Sequence, residues 1–420
     1  GAATVAGTIV ATSPRAAPAA AARHLSLRIN ESPPAVPAEH GKRTPGCYNA
    51  TVRDIEVFAV EDDSIQVCWR GLEPGSALSV GDDRVEVTSP GPGAASFGGL
   101  PPATVVAVTL RGDGPPRTVA TARTLAPPPG ELLCRFATVN DIHVGERRFG
   151  ILRSFRDDPS PGLEPYPLRC ARAALGEAVA WGAGAVVAKG DLTYTGRPQQ
   201  WSDVGRLLGG LEVPVAAVLG NHDVGRKAVD GRAALAPHGI DIPADPFPFD
   251  LPGLRVVLGH TSVPRKGHGA VDGRQRDQIA DLLATAPGPA FLALHHYLQR
   301  YRRALTYPPG IPGDQARALL DAAAEANPAT LVSAGHSHRN RRRRHGPLVV
   351  TEIGATMHYP GTWAGYAVHE GGIRQVVRRV AAPQAIAWTD RTRLAAGGVW
   401  GLVAPGLRSH RCFTHPWPRR

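Results

Sequence analysis

The sequence predicts an α/β domain preceded by a small all-β sandwich, and three observations carry that prediction. Six apolar runs between residues 132 and 333 lack internal alternation, as strands buried on both faces do, and helical patterns separate several of them. Ahead of them lie short alternating runs divided by turn formers, the pattern of a β-sandwich. A balance of 43% hydrophobic and 20% charged residues over 420 positions is globular and excludes wholesale disorder.

In chain order, residues 1–46 are rich in Ala and Pro without periodicity and read as a disordered arm. Residues 47–126 hold candidate strands at Ile55–Val60, Ser64–Trp69, Arg84–Val87 and Thr104–Leu110. Glu61–Asp63, Pro74-Gly75 and Pro90–Gly93 are the turns between them. Pro127–Gly130 reads as a stiff linker. Residues 131–380 then alternate strand and helix. The strands fall at Leu132–Val139, Ala185–Ala188, Val213–Leu219, Leu254–Leu258, Ala290–Leu294 and Thr330–Ser333. Helices are expected at Leu168–Trp181, Gln199–Leu208, Gln275–Ala284 and Gly313–Ala326. Strands return at Leu348–Ile353, Trp363–His369 and Ile373–Val380. Residues 381–420 read as an irregular, Gly/Pro/Arg-rich tail with few core residues.

No run reaches the roughly 18 apolar residues of a membrane helix, so no membrane partner is expected. The net charge of +11 is almost wholly arginine, because lysine occurs only at positions 42, 189, 227 and 266. That bias, with abundant Ala, Gly and Pro, is first a matter of composition, but its field would draw phosphate-bearing substrates. The five cysteines (Cys47, Cys68, Cys134, Cys170, Cys412) form no C-x-x-C pair, which indicates neither a thiolate zinc site nor a disulfide framework. Residues 1–24 lack the basic-then-apolar order of a signal peptide. The expected location is cytoplasmic, with secretion the alternative for a chain that has lost its leader.

Candidate ligands cluster just past the ends of the buried strands. Asp141-Ile-His143 follows the first, Gly190-Asp191 the second and Gly220-Asn221-His222-Asp223 the third. His295-His296 ends a later strand, and Gly335-His336-Ser337-His338 follows the next. Ligand crevices of open α/β sheets lie at the carboxyl ends of strands, so these five loops should converge. Carboxylate, imidazole and amide oxygen together suit a borderline divalent or trivalent ion such as Zn, Mn or Fe. Asp-x-His and His-x-His put both side chains on one side of an extended segment. The glycines at 190, 220 and 335 let the backbone turn sharply and approach the centre closely. Each motif alone has a bland explanation as a turn, a core histidine or a polar loop. Five in this order, each at a strand end, do not.

With these motifs the chain resembles the calcineurin-like metallophosphoesterases over about residues 132–380. The resemblance implies a four-layered α/β/β/α sandwich and two divalent or trivalent metal ions. One ion would take Asp141, His143, Asp191 and His338. The other would take Asp191, Asn221, His295 and His336, with Asp191 bridging. His222 would face the scissile phosphate, with Asp223 orienting its ring, and His296 would lie beside the site. The implied activity is hydrolysis of a phosphate ester by in-line attack of a metal-bridging hydroxide, His222 protonating the leaving oxygen. The D-x-H and G-N-H-D forms favour a small phosphodiester, a cyclic nucleotide or similar. Ser64–Trp69 followed by Phe97–Thr104 resembles part of a fibronectin type III domain.

Alternatives stand beside this. Gly190-Asp-Leu-Thr-Tyr194 also matches the purple acid phosphatases, which pair a catalytic domain with a fibronectin-like one and place the Tyr on iron. On that resemblance the protein is a phosphomonoesterase. His143 fills the position left open there, so Tyr194 is expected to support the ligands or face the substrate. The run Arg339–His345 is either a solvated turn or a collector of anionic substrate led by Arg339, with Arg300, Arg302 and Arg303 on the same rim. Thr356–Trp363, including His358, reads as a pocket wall. A non-catalytic nucleic-acid-binding protein is the rival of another class; it lacks stacking aromatics interleaved with the basic run.

Overall fold

The computed structural model describes residues 54–150, 154–157, 162–305 and 307–418. The arm at 1–46 and the start of the segment after it lie outside these residues. Seven strands come first: β1 (Ile55–Val60), β2 (Ile65–Trp69), β3 (Ala77–Val80), β4 (Asp83–Glu86), β5 (Gly93–Phe97), β6 (Val105–Arg111) and β7 (Arg117–Arg123). They form two antiparallel sheets, ordered β1-β2-β5 and β4-β3-β6-β7. Val57, Val67 and Phe97 of one sheet share a core with Leu78, Val108 and Val119 of the other. The sequence did not mark β3, β5 or β7, which are short or carry polar residues that blur the alternation.

The next stretch holds β8 (Leu132–Val139), the short pair β9 (Arg148–Phe149) and β10 (Phe155–Arg156), α1 (Tyr166–Ala180), β11 (Val186–Lys189), α2 (Pro198–Gly209), β12 (Val215–Val218) and α3 (Gly231–Leu235). β8, β11 and β12 pair in parallel because α1 and α2 carry the chain back between them. Then come β13 (Phe247–Leu251), β14 (Leu254–Gly259), α4 (Gly273–Ala284), β15 (Ala290–Leu294), α5 (Gly313–Ala326), β16 (Thr330–Ala334), β17 (Arg341–His345) and β18 (Leu348–Glu352). The chain ends with β19 (Thr362–His369), β20 (Gly372–Arg379), α6 (Pro383–Thr392), α7 (Val399–Val403), α8 (Arg408–Arg411) and β21 (Phe413–Pro416).

Two six-stranded sheets result, ordered β12-β11-β8-β19-β20-β21 and β13-β14-β15-β16-β18-β17. Successive residues of one strand serve different cores, which is why the runs show no alternation. Val186 and Ala188 pack with Ala174 of α1 and Val204 of α2. Val187 between them packs with Val256, Phe291 and Leu331 of the second sheet. Val257, Leu292 and Val332 turn the other way, towards Ile279 of α4 and Leu319 of α5.

Two expectations are corrected. As far as residue 418, the stretch 381–420 is not an irregular tail. Ile386 and Trp388 of α6 are buried, and Trp388 stacks on Tyr166 with 4.1 Å between ring centroids. β21 pairs with β20, and Phe413 enters the core between the sheets. Counting Gly, Pro and Arg hid the few apolar residues spaced to meet the domain. The basic run is likewise no turn, since β17 is an edge strand antiparallel to β18. Charged side chains suit an edge, where they discourage further strand pairing.

Candidate metal centre and catalytic site

The five loops leave the carboxyl ends of β8, β11, β12, β15 and β16, and their side chains meet. Asp141, His143, Asp191 and His338 each bring a ligand atom within 4.8 Å of the others. His143 Nε2 lies 3.4 Å from Asp191 Oδ2, and His338 Nε2 lies 3.1 Å from Asp141 Oδ1. On the other side, His295 Nε2 is also 3.4 Å from Asp191 Oδ2 and 3.1 Å from Asn221 Oδ1. The His336 ring stands 5.1 Å from that of His295. One carboxylate oxygen of Asp191 therefore faces both groups.

The backbone is bent to achieve this. Of the eight described non-glycine residues with positive φ, five are Asp141, His143, Asp191, His336 and His338. A left-handed residue costs about 1–3 kcal/mol and persists where its surroundings hold it. The Asp141 and His143 amides donate to the carbonyls of Gly190 and Asp191 at 3.0 and 2.9 Å, tying the first loop to the second. A Cβ at Gly220 would collide with the Asp191 carboxylate, and one at Gly190 (φ +82°) would meet the His295 ring. Glycine is what lets these strand ends close on the centre.

Behind the ligand candidates sits a supporting set. His295 Nδ1 donates to the Lys189 carbonyl at 2.8 Å, leaving Nε2 for the centre. His143 Nδ1 lies 3.5 Å from Glu146, and His338 Nδ1 lies 2.6 Å from Nε2 of His358. Such partners fix the ring and raise its basicity as a ligand. The sequence placed His358 only in a pocket wall and passed over Glu146, whose one signal is its position three residues after His143. His296 is drawn in more closely than expected. Its ligand atom joins those of His295 and His336 within 4.8 Å, while Nδ1 meets Thr261 Oγ1 at 2.8 Å. His296 Nε2 is buried without a hydrogen-bond partner.

Charge fits a cation. Burial would raise the Asp191 and Asp141 carboxyls, yet surrounding histidines hold both well below the usual carboxylate range. Burial and His222 push His143 down to about 4, and burial and His295 push His336 down to about 3. Ionised carboxylates beside neutral imidazoles are the protonation state that metal ligands require. Against its burial, His295 is raised to about 9 by Asp191. That pull is the electrostatic demand a bound cation meets.

His222 is set apart from the ligands. Its amide donates to Asp191 Oδ1 at 2.8 Å and its Nδ1 meets the Tyr194 carbonyl at 2.9 Å. The Tyr194 ring stacks against it at 5.4 Å. Both rings and Asn221 line a pocket of about 540 Å³. Burial opposes charge on His222, but Asp191 and the Tyr194 carbonyl outweigh it and raise its pKa. Asp223 does not orient this ring as expected. Its carboxylate accepts from the amides of Gly220, Leu192 and Thr193 and from the Thr193 hydroxyl, so it pins the β11 and β12 loops together. Burial and Asp191 push that carboxyl up to about 6. Nor does Arg339 rim this pocket, since its guanidinium lies 5.5 Å over the Trp400 ring. Arg300, Arg303 and Arg341–Arg343 line a separate pocket of about 310 Å³, to which none of the ligand candidates contributes.

Residues 134–340 match the calcineurin-like phosphoesterase family. They form a calcineurin-like phosphoesterase domain. A Rhodococcus erythropolis protein named as a probable cyclic nucleotide phosphodiesterase is 33% identical over 117 residues, covering 27% of this chain and 38% of that one. A cAMP/cGMP dual specificity phosphodiesterase of Mycobacterium tuberculosis is 37% identical over 125 residues, covering 27% and 36%. The matched stretch thus spans little more than a third of these relatives' own length. A purple acid phosphatase from yellow lupin (Lupinus luteus) seeds aligns with a TM-score of 0.42 at 13% identity, over 78% of this chain and 72% of that one. Among the described residues of the phosphoesterase domain and its flanks, no helix is long and apolar enough to cross a membrane.

Proposed function

We propose that the protein is a binuclear metal-dependent hydrolase of phosphate esters, acting on a small phosphodiester. The observation that carries this is Asp191, one oxygen of which lies 3.4 Å from both His143 and His295. A carboxylate so placed can serve two ligand sets at once, and the relatives named for cyclic nucleotides favour a diester. The fold read with it is a four-layered α/β/β/α sandwich behind a fibronectin type III-like domain.

Asp141, His143, Asp191 and His338 would hold one ion, and Asp191, Asn221, His295 and His336 the other, with His296 alongside. Bound there, two cations supply an activated water and offset charge on the phosphoryl oxygens. His222 supplies the proton. With Nδ1 committed to Tyr194, its Nε2 is the atom free to donate to the leaving oxygen, and its raised pKa favours the charged form a general acid needs. Asp223 keeps the loop carrying His222 against Asp191. The test is hydrolysis of bis-p-nitrophenyl phosphate and p-nitrophenyl phosphate by purified protein with and without Mn, Fe or Zn. Faster metal-dependent turnover of the diester is expected. Hydrolysis of neither ester with any of these metals overturns the proposal, and preference for the monoester turns it towards a phosphomonoesterase.

A further inference from the structure

The pocket beside His222 carries more positive charge than one phosphodiester needs. Arg197, Arg226, Lys227, Arg265 and Lys266 line it, and no Asp or Glu does. They come from three loops that the fold brings to one mouth: the segment before α2, the stretch after Asn221, and the turn after β14. The Arg265 amide donates to the Val224 carbonyl at 3.3 Å, joining the second and third loops. Arg265 itself has a φ of +64°, one of only three described non-glycine residues outside the ligand set to do so. All five are exposed, so solvent screens their mutual repulsion, but with no acid among them their fields add at the mouth and draw anions there. A volume of about 540 Å³ lies in the usual range for small-molecule sites.

The scissile phosphate diester has a single negative charge, which the cations that the ligand candidates would hold already offset. Five further cations call for a second anion. Because the pocket is bounded by His222 and Asn221, that anion belongs to the molecule being cleaved. We propose that this pocket binds a second phosphoryl group of the substrate, so that the ester taken is a diester carrying at least one more phosphate. A cyclic mononucleotide, with no second phosphate, would leave the cluster unused. The proposal rests on the phosphoesterase reading and narrows its substrate class.

The test separates the two. Turnover of bis-p-nitrophenyl phosphate by metal-loaded protein reports on the activity alone. Calorimetric titration of the same protein with thymidine 3′,5′-bisphosphate and with thymidine 5′-phosphate reports on the pocket, whether or not turnover is seen. The bisphosphate should bind at least about tenfold more tightly than the monophosphate, since an added phosphate–cation contact is worth on the order of 1.4 kcal/mol. In Lys227→Ala/Lys266→Ala, both exposed positions, that advantage should fall below about threefold. Arg300→Ala/Arg303→Ala, in the other basic pocket, should keep it. Equal binding of the two nucleotides by the unaltered protein, an advantage that survives the lysine substitutions, or its loss in the arginine variant would each overturn the proposal.

Discussion

Nδ1 of His222 lies 2.9 Å from the carbonyl oxygen of Tyr194, which fixes a ring that lines the pocket and leaves the opposite nitrogen outside that bond. A backbone carbonyl can only accept, so it selects the tautomer or charge state in which Nδ1 carries the proton. Replacing His222 with Ala should leave metal content intact and cut turnover of an alkyl ester by about 10²–10⁴-fold, the usual contribution of general acid catalysis. The loss should be smaller for a nitrophenyl ester, whose leaving group barely needs a proton. Equal losses on both esters, or metal depletion in this variant, would remove His222 from that role.

Asp191 should behave in the opposite way. Its Oδ2 is the shared neighbour of His143 and His295, so Asp191→Ala should lower metal content at both positions and reduce turnover of all esters to background. Metal counted by mass spectrometry in the purified variant is the check. Loss of only one equivalent would mean that the carboxylate does not bridge.

His358 and Glu146 touch ligand candidates rather than the centre. Removing such a partner typically weakens metal binding by about 10–100-fold. His358→Ala and Glu146→Gln should therefore lower the chelator concentration needed for half-inactivation while leaving the limiting rate at saturating metal much less affected. A change confined to the rate would assign these residues elsewhere.

What the sequence made legible follows from how local each signal is. Asp141-x-His143, Gly190-Asp191, Gly220-Asn221-His222-Asp223 and Gly335-His336-x-His338 are contiguous, and each ends an apolar run, so pattern and topology together predict their meeting. The supporting contacts are not contiguous. His358 reaches His338 across 20 residues, and Lys189 reaches His295 across 106, so no spacing announces either. The resemblance put Asp223 on the His222 ring, whereas the loop turns its carboxylate back onto Gly220 and Thr193, contacts that no motif spells out. The stretch after residue 380 was misjudged for a related reason. Trp388 and Phe413 stand among few apolar residues, and their partners, Tyr166 and the core between the sheets, lie far away in the chain.

Glu61 was read from the sequence as part of a turn, yet it is only 2% exposed and fastens the N-terminal strands to the rest of the fold. Its carboxylate accepts from Arg374 at 3.0 Å, from Arg378, and from Trp181 Nε1 at 3.1 Å. Burial would raise its pKa, but Arg378 and Arg374 outweigh that and hold it below the ordinary glutamate value. Removing one partner of a buried ion pair costs about 3–5 kcal/mol, because the other charge is left uncompensated. Arg374 retains Asp62 as a partner, so Glu61→Gln should fall at the lower end, about 3 kcal/mol, in urea unfolding at pH 7. The sign of the pH dependence follows from the lowered folded value. The stabilisation is fully present above the unfolded value of about 4.3 and is lost as pH falls through the folded one. The gap between the unaltered protein and Glu61→Gln should therefore shrink as unfolding is measured at pH values stepping down from 5. A gap that stays constant, or widens, would mean that Glu61 is not ionised against these arginines.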